Sequence, residues 1–338
     1  MPKYPALPNP DGWFAVCFTH ELQPGDVVPR KLFDRDVVLF RTESGEAVIL
    51  DAHCPHMGAH MGHGGRVEGE ALRCPFHGFR FSVDGRCIST PYATKIPPKC
   101  NVAAWTVCER NGVVLVWHHH LGHAPSFEIP TYDLGGWLPL RTKTWTISSH
   151  PQETSENSVD LGHLAEVHNY REVDILEDLE IEGPYLTIRY AMSRSGFGFS
   201  REASNRAEFR VHVHGLGFSH VEVHERQRDI KIRYWVLCTP THSDQCELRT
   251  ACTVPYEQSF RRASVLLDLL PKQTAARLVQ KFAFDEFCHD VSQDFEIWAH
   301  KRYVEPPLLA SGDGPVGHYR RWCRQFYAQL PRIQASAV

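Results

Sequence analysis

The chain has no surplus of positive charge: 36 Lys and Arg stand against 40 Asp and Glu, a net charge of −4. A surface that grips nucleic acid is therefore not signalled. No apolar run reaches the ~20 residues that span a bilayer. The opening MPKYPALPNPDGW lacks the apolar core of a secretory signal, so no membrane span is expected. There is no internal repeat and no low-complexity tract. The G-x-G-x-x-G fingerprint of a bound dinucleotide is also missing, so any reducing equivalents must come from a partner. Eleven cysteines are not few. Nine of them, however (Cys17, Cys87, Cys100, Cys108, Cys238, Cys246, Cys252, Cys288 and Cys323), follow no framework spacing, and nine cannot all pair. That usage fits a reducing cytosol, with buried thiols as packing residues. With 338 residues, 42% hydrophobic and 22% charged, the chain has room for two soluble domains.

Against these absences, two short clusters stand out: Cys54-Pro55-His56 and Cys74-Pro75-Phe76-His77. Each offers one thiolate and one imidazole. Two thiolates on one iron and two imidazoles on the other make a Rieske [2Fe–2S] centre, which passes single electrons. A structural zinc takes the same residue types. Zinc sites more often use C-x2-C knuckles and H-x3-H turns, and the glycines at 58, 64, 65 and 78 suit loops that close over a cluster and aim N–H groups at its sulfurs. His53, His60 and His63 lie off the pattern and read as polar loop residues.

The first third breaks into short strand-like runs, Gly12–Thr19, Lys31–Arg41, Glu46–Asp51, Ala71–Cys74 and Gly112–His118, separated by Pro and Gly turns. A boundary near Pro125–Pro130 divides a β domain, 1–128, from a second domain, 129–338. There a helical pattern over roughly Glu153–Asn169 precedes strands at Tyr185–Met192, Ala207–His214, Ser219–His224, Ile230–Cys238 and Cys246–Pro255. The histidines of Phe209–His214 share one face, expected to be solvated or sheet-packed. Tyr256–Lys301 reads as mostly helical with a break at Pro271. The fold class is α+β: an all-β domain, then an antiparallel sheet with packed helices. The apolar helical residues Val265, Leu266, Leu269, Leu270, Phe282 and Phe287 are expected mostly in the core.

The helical segment carries a second constellation. His163 and His168 are five apart, which on an ideal helix separates their side chains by about 140°. They converge only if the helix widens or ends between them. Two histidines and one carboxylate hold non-haem Fe(II) with open positions for dioxygen. Asp160, three residues before His163, is a candidate to orient the imidazole and carry an electron or proton to it. Asp285, Glu286, Asp290, Asp294 and Glu296 are candidates for the third ligand, and spacing alone does not choose among them.

Together these residues resemble the Rieske non-haem iron oxygenases of α-subunit type, over nearly the whole chain. Asn157, Asp160, His163 and His168 match the family's N-x2-D-x2-H-x4-H pattern, and Gln293–Trp298 resembles the helix segment that supplies its Asp ligand. The resemblance implies a helix-grip catalytic domain. It also implies a cluster on Cys54, His56, Cys74 and His77, and mononuclear iron on His163, His168 and Asp294, with Asp290 as fallback. Asn157 and Asp160 are implied as further catalytic residues. O2 and NAD(P)H electrons arriving through a flavin or iron–sulfur reductase, or a ferredoxin plus reductase, belong to the same implication. So does a homotrimer in which electrons cross between subunits through Asp160. Pro91-Tyr92-Ala93, Leu50-Asp51-Ala52, Asp294–Lys301, Asp313–Val316, Arg320-Arg321-Trp322 and Gln325-Phe326-Tyr327 resemble the 3-ketosteroid 9α-hydroxylase and cholesterol 7-desaturase branch. That branch implies hydroxylation, desaturation or oxidative demethylation of an apolar sterol or steroid. The alternatives are an oxygenase for a small aromatic substrate, with an Arg from Arg189, Arg194, Arg201, Arg206 or Arg210 for its carboxylate, and a Rieske electron carrier.

Overall fold

A computed structural model of the chain describes residues 7–194 and 205–328. They form two compact units: Trp13–Thr131 with Thr239–Ser243, and the remainder. The first contains β1 (Gly12–Phe18), β2 (Val27–Leu32), β3 (Arg35–Arg41), β4 (Ala47–Asp51), β5 (Arg66–Glu68), β6 (Ala71–Arg73), β7 (Arg80–Phe81), β8 (Cys87–Ser89), β9 (Val107–Arg110) and β10 (Val113–His118). They make three small sheets, ordered β1-β10-β9, β2-β3-β4 and β5-β6-β7-β8. The run Lys31–Arg41, expected as one strand, is a hairpin instead. Phe33 and Asp34 take φ of 52° and 63° and form a two-residue turn between Leu32 and Arg35. Positive φ at both centres matches the right-handed twist of the strands, and the missing glycine hid the turn.

The second unit is built on β11 (Arg141–Ile147), β12 (Arg171–Glu182), β13 (Tyr185–Arg194), β14 (Asn205–His214), β15 (Phe218–Glu225), β16 (Ile230–His242) and β17 (Gln245–Thr253). Their order is β11-β17-β16-β15-β14-β13-β12. Alternation sorts the two faces. Tyr190, Phe209, Val221 and Tyr234 point to one side and line a cavity. Arg189, Glu208, Arg210, Glu222 and Arg233 point to the other, in ion pairs such as Arg189 to Glu208 at 2.6 Å. His212 and His214 are sheet-packed, one of the two expected alternatives, and His220 of β15 packs beside them. Tyr132 stacks on His220 at 3.9 Å and hydrogen-bonds His214 Nε2 at 2.6 Å.

Among the described residues there are five α-helices, in chain order α1 (Pro151–Glu156), α2 (Gly162–Glu166), α3 (Val265–Asp268), α4 (Lys272–His300) and α5 (Val316–Cys323). The helix expected over Glu153–Asn169 is therefore two short ones. α1 starts on Pro151, with His150 Nδ1 accepting from the Gln152 N–H, and stops at Asn157. The Leu161 N–H just before α2 is taken by the Asp313 carbonyl at 3.0 Å. α4 begins after Pro271 as expected, but Tyr256–Ser264 is turn rather than helix. α4 packs Ala275, Ala276, Ala283, Phe284 and Cys288 onto Val223, Ile232, Tyr234 and Cys252 of the sheet. The core expectation fails for five of the six apolar helical residues: only Phe287 packs inward, and Leu270 and Phe282 are 38% and 47% exposed. Val265, Leu266 and Leu269 are 65%, 77% and 76% exposed, because only Leu267 of that turn reaches the core. Among the described residues no helix is long and apolar enough to cross a membrane.

Candidate metal centres

Two loops with one backbone plan hold Cys54, His56, Cys74 and His77. The Gly58 N–H returns to the Cys54 carbonyl at 2.8 Å and the Gly78 N–H to the Cys74 carbonyl at 3.1 Å. The Cys54 N–H reaches Ala59 and the Cys74 N–H reaches Phe79, at 2.9 and 2.8 Å. Both closing residues have positive φ, +77° and +69°, which glycine adopts without strain. The imidazoles of His56 and His77 meet edge to face, with centroids 4.6 Å apart at 81°. Both thiols are buried, and burial with Cys74 alongside pushes the Cys54 thiol up to about 12. Thiolates can persist there only against metal charge. His56 Nδ1 is buried with no hydrogen-bond partner among the described residues, as a ring nitrogen reserved for a metal would be. The residues fit the cluster. His53 and His60 instead pair with each other, and His60 Nδ1 accepts from the Gly62 N–H.

In the second unit α2 ends between His163 and His168. Its last residue is Glu166 and Val167 is the cap, so His168 leaves the helical path and turns back toward His163. The rings stand 5.1 Å apart at 80°. Asp294 on α4 completes the group: one ligand atom from each of the three lies within 4.8 Å of the others, and His168 Nε2 is 3.5 Å from Asp294 Oδ2. Metal bonds of ~2.1 Å put neighbouring ligand atoms ~3–3.6 Å apart. The other candidates go elsewhere. Asp285 pairs with Lys281, Glu296 with His300, and Asp290 accepts from the Tyr170 hydroxyl at 2.9 Å. Glu286 lines the cavity wall.

Each histidine is oriented through Nδ1, leaving Nε2 for the metal. His163 Nδ1–H donates to the Asp160 backbone carbonyl at 2.5 Å, and His168 Nδ1–H donates to Gln293 Oε1 at 2.8 Å. Burial pulls His168 toward neutrality, but the Asp294 carboxylate and the Gln293 carbonyl outweigh it and hold its pKa above the ordinary value. The Asp160 carboxylate accepts from the His163 N–H at 3.4 Å and approaches Nδ1 at 3.8 Å. Burial works against its ionisation, yet contact with His163 keeps it below the usual range. The residues fit a ferrous ion, since three N/O donors, two of them buried and His163 half-buried, converge and leave one side open.

That side opens into a cavity of about 230 Å³. Asn157 lies on its wall, with Tyr190, Met192, Phe209, Val221, Ile232 and Phe287 supplying apolar surface. No Lys or Arg lines it among the described residues. Arg189, Arg206 and Arg210 pair instead with Glu177, Glu208 and Asp174. The Arg194 side chain and Arg201 lie outside the described residues.

Residues 116–327 match the 3-ketosteroid 9alpha-hydroxylase C-terminal domain, and residues 12–105 the Rieske [2Fe-2S] domain. The chain is a Rieske oxygenase of that 3-ketosteroid 9α-hydroxylase C-terminal domain family. Such an oxygenase uses a [2Fe–2S] cluster, mononuclear iron, O2 and reductase-supplied electrons. It is 28% identical over 345 residues to cholesterol 7-desaturase of Xenopus laevis, covering 94% of this chain and 72% of that one. It is also 28% identical over 344 residues to the 3-ketosteroid-9-alpha-monooxygenase oxygenase component of Rhodococcus rhodochrous, covering 95% and 85%. The fold is shared with dicamba monooxygenase bound to dicamba (TM-score 0.65, 17% identity, 94% and 96% covered). It is shared also with Pseudomonas putida CBB5 NdmA with caffeine (TM-score 0.69, 17% identity, 92% and 89% covered).

Sequence reasoning missed the supports behind the iron-type site. Gln293 was visible only as the neighbour of Asp294. Glu156, on α1, is held by a buried bidentate Arg320 at 2.6 and 2.8 Å. Lys301 pairs with the adjacent Glu153 at 2.5 Å. Gly314 presses on the same segment: a Cβ there would lie 2.3 Å from the Val159 carbonyl oxygen. The short matches Asp313–Val316 and Arg320–Trp322 thus brace the stretch from Glu156 to His163.

Proposed function

We propose that this chain hydroxylates, desaturates or oxidatively demethylates a sterol or steroid. The observation that carries the reading is the convergence of His163, His168 and Asp294 on a cavity whose wall is mainly apolar and, among the described residues, lacks a cation. A carboxylate-bearing aromatic acid would need a buried Arg. The relatives named for cholesterol and ketosteroids support the substrate class.

His163, His168 and Asp294 would hold the ferrous ion, and Cys54, His56, Cys74 and His77 the cluster. When bound, the cluster supplies single electrons and the iron activates dioxygen. The protein's part is positional. The Asp160 carbonyl and Gln293 fix the imidazole tautomers, and Asn157 faces the space beside them. The Tyr190, Phe209, Val221 and Ile232 side chains exclude water and hold an apolar skeleton. We assign Asp160 the further task of coupling His163 to the Rieske domain of a neighbouring subunit in a homotrimer. A separate reductase, or a ferredoxin with its reductase, supplies the electrons in the cytosol.

The test is product mass spectrometry on the iron-loaded protein with a surrogate reductase, NADH and labelled dioxygen. Sterols, 3-ketosteroids and aromatic acids form the panel. A steroid that gains labelled oxygen or loses two hydrogens supports the reading. Turnover of an aromatic acid alone refutes it, and two irons per chain without turnover would make the protein an electron carrier.

A further inference from the structure

The cavity absorbs one side of α4, but the turn before it and the opposite side of its first half have no role in that site. Val265, Leu266 and Leu269 stand 65%, 77% and 76% exposed, and Leu278 on α4 is 48% exposed. This is not a loose end. Ser264 caps α3, the Asp268 carboxylate accepts from the Ser259 hydroxyl and the Phe260 N–H, and Leu267 packs into the core. The turn is tied down with its large side chains outward. Between Gln258 and Phe282 the chain carries five cations, Arg261, Arg262, Lys272, Arg277 and Lys281, against the single carboxylate of Asp268, in a protein whose net charge is −4. Lys281 pairs with Asp285, while Arg261, Lys272 and Arg277 make no ion pair among the described residues. Exposed leucines interleaved with cations are the composition of an element that lies in a membrane interface, apolar side chains in the acyl boundary and cations at anionic headgroups.

We propose that residues 261–282 seat this oxygenase transiently on an anionic lipid bilayer. The inference rests on the apolar-substrate reading, because a sterol-like molecule resides in bilayers. The cavity begins on the same helix at Ala283, immediately after this surface, and α4 carries it about 16 Å further to Asp294 at 1.5 Å per residue. The surface thus lies at the end of the cavity remote from the metal ligands.

The experiment is flotation of the full-length holoprotein with vesicles of phosphatidylcholine, with or without about one-third phosphatidylglycerol. Leu266→Ser/Leu269→Ser and Arg261→Glu/Lys272→Glu are run beside it, and an unchanged thermal melt by circular dichroism serves as the folding control. The expected result is retention on the anionic vesicles alone, weakened about tenfold or more by either double variant. It should also be lost in about 1 M salt, where charges are screened beyond about 3 Å. No retention on anionic vesicles, or retention that neither variant changes, overturns the proposal. So does a change of sedimentation coefficient in the variants without a change in flotation, which would make the surface a contact between copies of the chain. Flotation needs no turnover, so vesicle binding without steroid oxidation would sink the substrate reading alone.

Discussion

Replacing Gln293 by Leu removes the acceptor of the His168 Nδ1–H at 2.8 Å and leaves the ring in place. The imidazole then loses the hydrogen bond that selects the tautomer with a lone pair at Nε2. Its buried N–H is left without a carbonyl, and the ring tilts toward whatever acceptor it finds. Loss of such an outer partner typically costs 10–100-fold in metal affinity, or about 1.4–2.7 kcal/mol. The Asp294 carboxylate, 3.5 Å from His168 Nε2, is untouched, so the site should weaken rather than vanish. The assay is iron content after equilibration against a graded chelator, with the visible absorbance of the cluster in the same sample as an internal reference. The chelator concentration that strips half the mononuclear iron should fall by that factor, while the cluster stays. An unchanged stripping curve would refute the argument. Gln293→Glu, which keeps an acceptor, should restore retention.

Asp160→Asn should keep mononuclear iron, because His163 is held by the backbone carbonyl of residue 160, and should lower product formation by at least about tenfold with cluster reduction intact. Turnover at the wild-type rate would remove Asp160 from the electron route. Arg320→Leu leaves the buried Glu156 with only Lys301 at 3.7 Å and should destabilise the fold by up to about 3 kcal/mol in urea melts. Arg320→Leu with Glu156→Leu should recover most of that, and no recovery would mean that the cost is packing. Burial lowers His214 and His220 to about 3, so the unfolded chain binds more protons between pH ~6.5 and ~3. Stability is then fully present above pH ~6.5 and lost as pH falls, by about 1.4 kcal/mol per pH unit for each ring. His220→Leu should flatten this slope between pH ~6.5 and ~4.5 without loss at neutral pH, since neither ring nitrogen has a partner among the described residues. An unchanged slope would show that other groups carry it.

The four proposed cluster ligands can be read from the sequence because both pairs sit within single tight loops, where spacing almost determines geometry. His163 and His168 were legible as types but not as a geometry, since convergence depends on α2 stopping after Glu166. The carboxylate needed tertiary structure: Glu286, Asp290 and Asp294 recur along one side of α4, and only packing shows which meets the histidines. β11 and β12 escaped because edge strands carry little apolar alternation. Most of Arg171–Glu182 is exposed, and its acidic residues read as a solvated stretch. Val265, Leu266 and Leu269 misled in the other direction, since an apolar helical run is expected inside and only its neighbour Leu267 is held by the core.

The strand order has a consequence for how the molecule is assembled. β11 and β12 are consecutive in the chain yet occupy opposite edges of the seven-stranded sheet. The connection between them must therefore cross six strand spacings, about 29 Å, and Asn157, Asp160, His163 and His168 all ride on that crossing. Asp294 arrives only after the last strand. Every proposed iron ligand thus belongs to a contact of long sequence separation, the kind formed late because loop closure must precede it. A chain with an incomplete sheet has no place to hold the mononuclear metal, whereas the two Rieske loops, lying close together in sequence, do not depend on that crossing. Folding intermediates should therefore acquire the cluster first and the single iron last, and the ratio of the two metals becomes a gauge of how far a preparation has folded.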